Sequence, residues 1–142
     1  MREIPGLDGV LAVEHVEASA DKVVVRFTIG DQHLQPFGIP HGGIYCAVHE
    51  STASVAGQYW LADRGVVVGT NNSTDFLRQA KPGDTITTTA TPIHRGRSQQ
   101  LWHLDSVNQD GKLIAQGQVR LANLDQKISP EMLAQFTGAQ QD

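Results

Sequence analysis

The chain has 142 residues, of which 39% are hydrophobic and 18% charged, and 15 acids against 11 bases give a net charge of −4. That length suits one ordinary domain with a real core, and the composition excludes a disordered chain. The mild acidity, without any basic block, leaves nucleic-acid binding with no electrostatic support.

From the N-terminus, Met1–Gly9 carries acids early and no apolar stretch, so no signal peptide is expected. Nowhere does the sequence approach the roughly 18 apolar residues of a membrane span. The single cysteine, Cys46, cannot form an internal disulfide, which fits a reducing compartment, and the cytoplasm is the expected location. Residues 10–18 and 22–29 read as strands, the second carrying Val23, Val24, Val25, Phe27 and Ile29. Asp31–Pro40 is a loop with two prolines and Gly38. Gly42 to about Asp63 then reads as one long helix, with Gly65 suited to the left-handed position that closes it.

Four β segments follow, Val66–Leu77, Asp84–His94, Ser98–Asn108 and Lys112–Leu124. Lys81-Pro82-Gly83-Asp84 has the Pro-Gly order of a type II turn, and Gln109-Asp110-Gly111-Lys112 carries an Asp-Gly hairpin signal. Five threonines in Thr85–Thr91 favour a strand through their β-branching. The tail, residues 125–142, has room for a short helix at Pro130–Phe136 capped by Ser129. Residues 1–142 thus form a single domain with its core at about 10–124. Strand, strand, long helix and four hairpin-linked strands make an α+β arrangement, one helix against an antiparallel sheet.

The helix carries the functional information. From Gly42 to Ala62 its one formal charge is Glu50, whereas a surface helix shows several charges on its wet face. Burial on nearly all sides is expected, by the sheet and by a partner chain. Cys46, Ala47, Ala53 and Ser54, one turn either side of Glu50, are small and none is basic. Such a carboxylate loses hydration without a local counter-charge, the setting of reactive acids. The plainer alternative is a Glu that reaches solvent or pairs with an arginine from elsewhere. Ser54 shares a face with Glu50 and could hold a water or substrate, or bond back to a helix carbonyl. His41-Gly42-Gly43 offers unpaired N–H groups and a partial positive charge to a ligand oxygen, an oxyanion hole for a thioester carbonyl, or simply makes a tight turn.

Other chemistries lose their motifs. His49-Glu50 begins a zinc-protease signature, but Ala53 replaces its second histidine, and the six histidines lack compact ligand spacing, so no metal is expected. No Gly-x-Ser-x-Gly, phosphate-loop or Gly-x-Gly-x-x-Gly motif occurs.

Gln35-Pro-Phe-Gly-Ile-Pro-His41-Gly-Gly, followed by Glu50 and Ser54, resembles the hotdog-fold acyl-CoA thioesterases. The resemblance is nearest the branch of the phenylacetate-pathway thioesterase and the Arthrobacter-type 4-hydroxybenzoyl-CoA thioesterase. It extends through Asn72–Phe76, His94–Arg97, Gln100–Trp102 and Ala115–Arg120. It implies a hotdog fold, a central helix wrapped by a curved antiparallel sheet. It also implies homodimers that pair again into homotetramers, with the active site between subunits. Carried onto this sequence, Gly42 N–H polarises the carbonyl and Glu50 acts as nucleophile or general base. Gln35 orients thioester or water, Ser54 positions water, and His41 shapes the loop. Arg95, Arg97 and Ser98 hold the CoA phosphates, unless that turn is merely a solvated hairpin. Gly69 or Thr70 stands where some relatives carry a water-activating serine.

The reaction so implied is hydrolysis of an aryl or medium-chain acyl-CoA to free acid and CoA, with no cofactor beyond the substrate's own CoA. A non-catalytic acyl-CoA binding or sensing module is the alternative. A hotdog hydratase is a third reading, but its hydration-specific segment is missing.

Overall fold

The structure, a computed structural model, describes residues 4–137. One turn of helix, α1 (Leu7–Val10), precedes strands β1 (Glu14–Ala18) and β2 (Val23–Thr28). The long helix α2 (Gly43–Leu61) leads through a 3-10 turn at Ala62–Arg64 into β3 (Val66–Phe76). Strands β4 (Thr85–Arg95), β5 (Gln99–Val107) and β6 (Leu113–Leu124) follow, and α3 (Pro130–Thr137) ends the described chain. The six strands form one antiparallel sheet in the order β1-β2-β4-β5-β6-β3, so the strand after the helix crosses to the far edge.

Side-chain alternation builds the core. Val23, Val25 and Phe27 of β2, Ile86 and Ala90 of β4, Trp102 and Leu104 of β5, and Val119 and Leu121 of β6 are buried beneath α2. No residue of α2 is fully exposed, although a single chain surrounds it. The charge-poor helix is therefore covered largely by its own sheet. The remaining half-buried positions include Cys46, Ala47, Glu50, Ser51 and Ser54.

Both glycine turns form as the sequence predicts. Gly83 takes φ +92 with Asp84 N–H bonded to Lys81 O at 3.0 Å. Gly111 takes φ +75 in a three-residue loop closed by Asn108 N–H to Lys112 O at 3.0 Å. Ser129 caps α3 by accepting the Met132 N–H at 3.1 Å.

Two boundaries differ from expectation. Residues 10–18 are not one strand: Val10 ends α1, Ala12 turns at φ +56, and pairing starts at Glu14. The left-handed residue closing α2 is Ala62, at φ +54, while Gly65 is extended. Gln58 overrides the local preference there. Its buried Nε2 donates to Ala62 O at 3.0 Å and Gly65 O at 2.9 Å, and its Oε1 accepts the Val67 N–H at 3.1 Å. Gly65 is small for another reason: a Cβ would strike the Leu124 carbonyl.

Candidate active site

The loop before α2 is tied down at several points. Buried His33 accepts the Gly30 N–H on Nδ1 at 2.9 Å, so its Nε2–H donates to Leu11 O at 2.7 Å. His41 N–H then reaches His33 O at 2.8 Å, and Gln35 N–H reaches Ile39 O at 2.8 Å. Gly38 turns this segment at φ +79, and the Gln35 side-chain oxygen accepts the Phe37 N–H. That oxygen is therefore engaged within the loop, and the Gln35 amide nitrogen has no hydrogen-bond partner among the described residues.

His41 Nδ1 accepts the Gly43 N–H at 2.8 Å, which places its proton on Nε2. It caps the helix start. Gly42 is helical, and its N–H has no acceptor among the described residues. A Cβ on Gly42 would come within 2.6 Å of the Phe76 ring, and one on Gly43 within 2.9 Å of the His41 ring. The glycine pair is therefore both a tight turn and an open backbone donor. Beside it runs a groove of about 680 Å³ lined by Gln35, Phe37, His41, Gly42, Tyr45 and Phe76 among others. Its rim is apolar, Phe37 being 91% and Phe76 55% exposed. Tyr45 is buried with its hydroxyl unpartnered, and burial, helped by the Asp84 charge, pushes that hydroxyl up to about 12.

Glu50 lies two turns further along, half-buried, with no hydrogen-bond or ion-pair partner among the described residues. The arginine partner of the plainer alternative is not found among the described residues. Its carboxylate lies over Gly69 of β3, where a Cβ would collide with Glu50 Oε1. Ser54 is half-buried one turn on, and its hydroxyl is likewise free of partners among the described residues. The back-bonding hydroxyl in this stretch is Thr52, which donates to Val48 O at 2.6 Å.

Eight residues separate Gly42 from Glu50, about 12 Å of helical rise. Within one chain they cannot grip the same carbonyl. The Arg95–Ser98 turn is more distant still. Arg95 pairs with Asp21 Oδ1 at 2.8 Å, donates to Ala20 O at 2.8 Å, and stands 6.0 Å from the Trp60 ring. That is the opposite end of a 19-residue helix, about 28 Å from Gly42. Arg97 and Ser98 are exposed there.

Sequence reasoning overlooked one group. His49, adjacent to Glu50, is fully buried and bonded on both ring nitrogens, to Ser106 Oγ at 2.8 Å and Thr74 Oγ1 at 3.3 Å. Burial lowers its pKa to about 4, with a smaller upward pull from Asp105 and a smaller downward push from His103, so it is neutral. Thr88 and Ser106 occupy inward positions of β4 and β5, between or beside core residues. A polar residue at an inward strand position is the signal that would have found them. Among the described residues no group of three or more His, Cys, Asp or Glu is arranged to hold a metal ion, and no helix is long and apolar enough to cross a membrane.

The model of the thioesterase superfamily matches residues 37–115, which hold most of the groove lining, the helix and three of the strands. The chain is similar to AziG of S. sahachiroi, 44% identical over 87% of this chain and 99% of that one, with a TM-score of 0.84. It is 41% identical to a Mycobacterium tuberculosis protein named as an esterase, Rv1847, over 83% of this chain and 86% of that protein. That protein's solved structure superposes with a TM-score of 0.81, covering 85% of this chain and 98% of that one. Mouse acyl-coenzyme A thioesterase 13 is 31% identical over 82% of this chain and 84% of that protein. The helix wrapped by an antiparallel sheet is the hotdog architecture, and the chain belongs to the thioesterase superfamily, as a thioester hydrolase.

Proposed function

We propose that this thioester hydrolase cleaves an aryl or medium-chain acyl-CoA to free acid and CoA in a site shared by two subunits. The observation that carries this reading is the pair of unpartnered groups about 12 Å apart on one helix, the Gly42 N–H and the Glu50 carboxylate. Neither completes a site alone. A second copy related by a two-fold axis brings Glu50 of one chain to the Gly42 helix start of the other.

The edges of the sheet support that pairing. β1 is short, bulged between His15 and Glu17, and carries Glu14 and Glu17, all features that block edge pairing. β3 runs 11 residues with one charge, Asp75, and exposes Val68 and Phe76. It is the open edge. Pairing of two β3 strands makes a dimer, and such dimers associate into tetramers. In a tetramer the Arg95–Arg97 turn of another subunit can reach the CoA phosphates that its own chain cannot. Acyl-CoA as the substrate class follows the name of the mouse relative.

In this site the Gly42 N–H, at the positive end of the helix, holds the carbonyl oxygen as it gains charge. Gln35 and Ser54 orient the thioester and water. Glu50 takes one of two routes. As general base it removes a proton from water, the hydroxide adds to the carbonyl, and the C–S bond breaks to release CoA thiol and the acid. As nucleophile it displaces CoA to form a mixed anhydride that water then opens. Mass spectrometry of acid-quenched enzyme, searched for an acyl adduct on Glu50, separates the routes.

Thiol release over an acyl-CoA panel tests the reaction, and subunit mixing tests the shared site. Glu50→Gln and Gly42→Val are each expected to be inactive. Unfolded and refolded together at equal ratio, they should regain up to about a quarter of native activity, because half the dimers then hold one intact site. No recovery, from a mixture shown to contain heterodimers, would place the site within one chain.

A further inference from the structure

We infer that a bulge at Thr70 and the hydrogen-bonded chain Asn72–Thr74–His49 form a positioning device that sets where the Glu50 carboxylate stands. The inference rests on the proposed role of Glu50. The β3–β6 register shifts between Gly69 and Asn71, leaving Thr70 as an extra residue whose hydroxyl bonds Arg120 O at 3.3 Å. An unbroken strand with Val67 and Gly69 facing the helix would turn Asn72 and Thr74 away from it. The bulge reverses that parity. Gly69, Asn72 and Thr74 all face α2, and re-aiming side chains is what bulges do.

Donor and acceptor roles along the chain are fully determined. Asn72 Nδ2 donates to Cys46 O at 2.9 Å, so Asn72 Oδ1 accepts from the Thr74 hydroxyl at 2.7 Å. The Thr74 proton being thus committed, its oxygen accepts from His49 Nδ1–H. His49 Nε2 is then an acceptor for the Ser106 hydroxyl, which in turn accepts from Thr88 at 2.7 Å. The whole chain requires neutral His49 in a single tautomer.

Its two ends explain its purpose. One end lies in the sheet core, among Ile86 and Leu104. An apolar set of the same shape would fill that space at no loss of stability, so stability alone does not call for it. The other end is the Cys46 carbonyl, which also accepts the Glu50 N–H in the helix. Asn72 therefore clamps the strand to the turn that carries Glu50, while Gly69, three residues earlier, leaves the space in which the carboxylate sits. Backbone and carboxylate of Glu50 are both set by β3. A displacement of this carboxylate by about 1 Å is enough to cost about 100-fold in rate.

The test uses isosteric changes at Thr74 in the full-length chain, assayed well below each variant's melting temperature. Thr74→Val keeps the shape and removes the hydroxyl, while Thr74→Ser keeps the hydroxyl. Thr74→Val is expected to lower kcat about 10-fold or more with KM within about twofold, and Thr74→Ser to stay within about threefold of native. Amide hydrogen exchange at residues 46–50 should quicken about 10-fold or more in Thr74→Val, with residues 100–104 unchanged. Native kcat in Thr74→Val, or equal losses in both variants, overturns the inference. Glu50→Gln run in parallel keeps the two readings apart. If it retains activity, the role of Glu50 fails, while the exchange data still decide whether the chain clamps that turn.

Discussion

The two ends of α2 treat polar groups in opposite ways. Around Gly57–Leu61 every buried polar group is answered: Gln58 makes three bonds to the helix end and β3, and Gln100 bonds Gly57 O, Asn123 and the Trp102 indole. Between Gly42 and Ser54 the Gly42 N–H, the Glu50 carboxylate, the Ser54 hydroxyl and the Tyr45 hydroxyl all lack partners among the described residues. Buried or half-buried polar groups in folded proteins are normally paired. Three of these exceptions, the half-buried Gly42, Glu50 and Ser54, mark the stretch built to meet something outside this chain, while the Tyr45 hydroxyl is sealed within it.

The largest expected effect removes the central exception. Glu50→Gln should lower kcat at least about 1,000-fold, roughly 4 kcal/mol of transition-state stabilisation, with melting temperature changed little. Activity within tenfold of native would move the chemistry away from this end of the helix.

The next effect concerns His49, fully paired although it lies within the same stretch as the unpaired groups. Its folded pKa is about 4 against an ordinary 6.5. Below pH 6.5 the unfolded chain therefore takes up a proton that the folded chain refuses until about pH 4. Stability present above pH 6.5 is lost as pH falls through that window, by about 3 kcal/mol. Urea denaturation at pH 7 and pH 4 measures it. His49→Asn, which cannot titrate, should show a correspondingly smaller acid loss, and an equal loss in both proteins would remove His49 as its source. At the paired end, Gln58→Met keeps the bulk but leaves the Val67 N–H and two carbonyls unanswered. It should lower stability by about 2–3 kcal/mol with kcat per folded molecule unchanged.

The same contrast governs what the sequence could reveal. Glu50, nine residues after His41 on a helix nearly free of charge, is legible because helix geometry alone places them on one rod. The valines of β2 and the threonines of β4 were likewise legible as strands. The closing residue of α2 was not legible, since Gln58 reaches seven residues ahead to Gly65 and forces the turn onto Ala62. Nor was the bulge: Thr70-Asn71-Asn72 offers three polar residues in a row, with no alternation to show where the parity reverses. Arg95 read as a phosphate ligand because Asp21, its partner, lies 74 residues away in sequence. Local pattern carried the elements, and long-range hydrogen bonds decided their ends.

Tyr45 gives the smallest effect and the finest test of the contrast. Its ring lines the groove and lies 6.1 Å from Phe76, yet its hydroxyl is sealed from solvent without a partner. Glu50 and Ser54 are only half-buried and can meet substrate, whereas this oxygen is shut inside the chain. It is thus a cost of folding rather than a contact in waiting. Tyr45→Phe should raise stability by about 1 kcal/mol, because it removes an unanswered polar atom while keeping the ring. Chemical denaturation measures the gain, and kcat and KM over the acyl-CoA panel should be unchanged. A rise in KM confined to acyl groups bearing a hydroxyl or carbonyl would instead make Tyr45 a reader of the substrate, and add it to Gly42, Glu50 and Ser54.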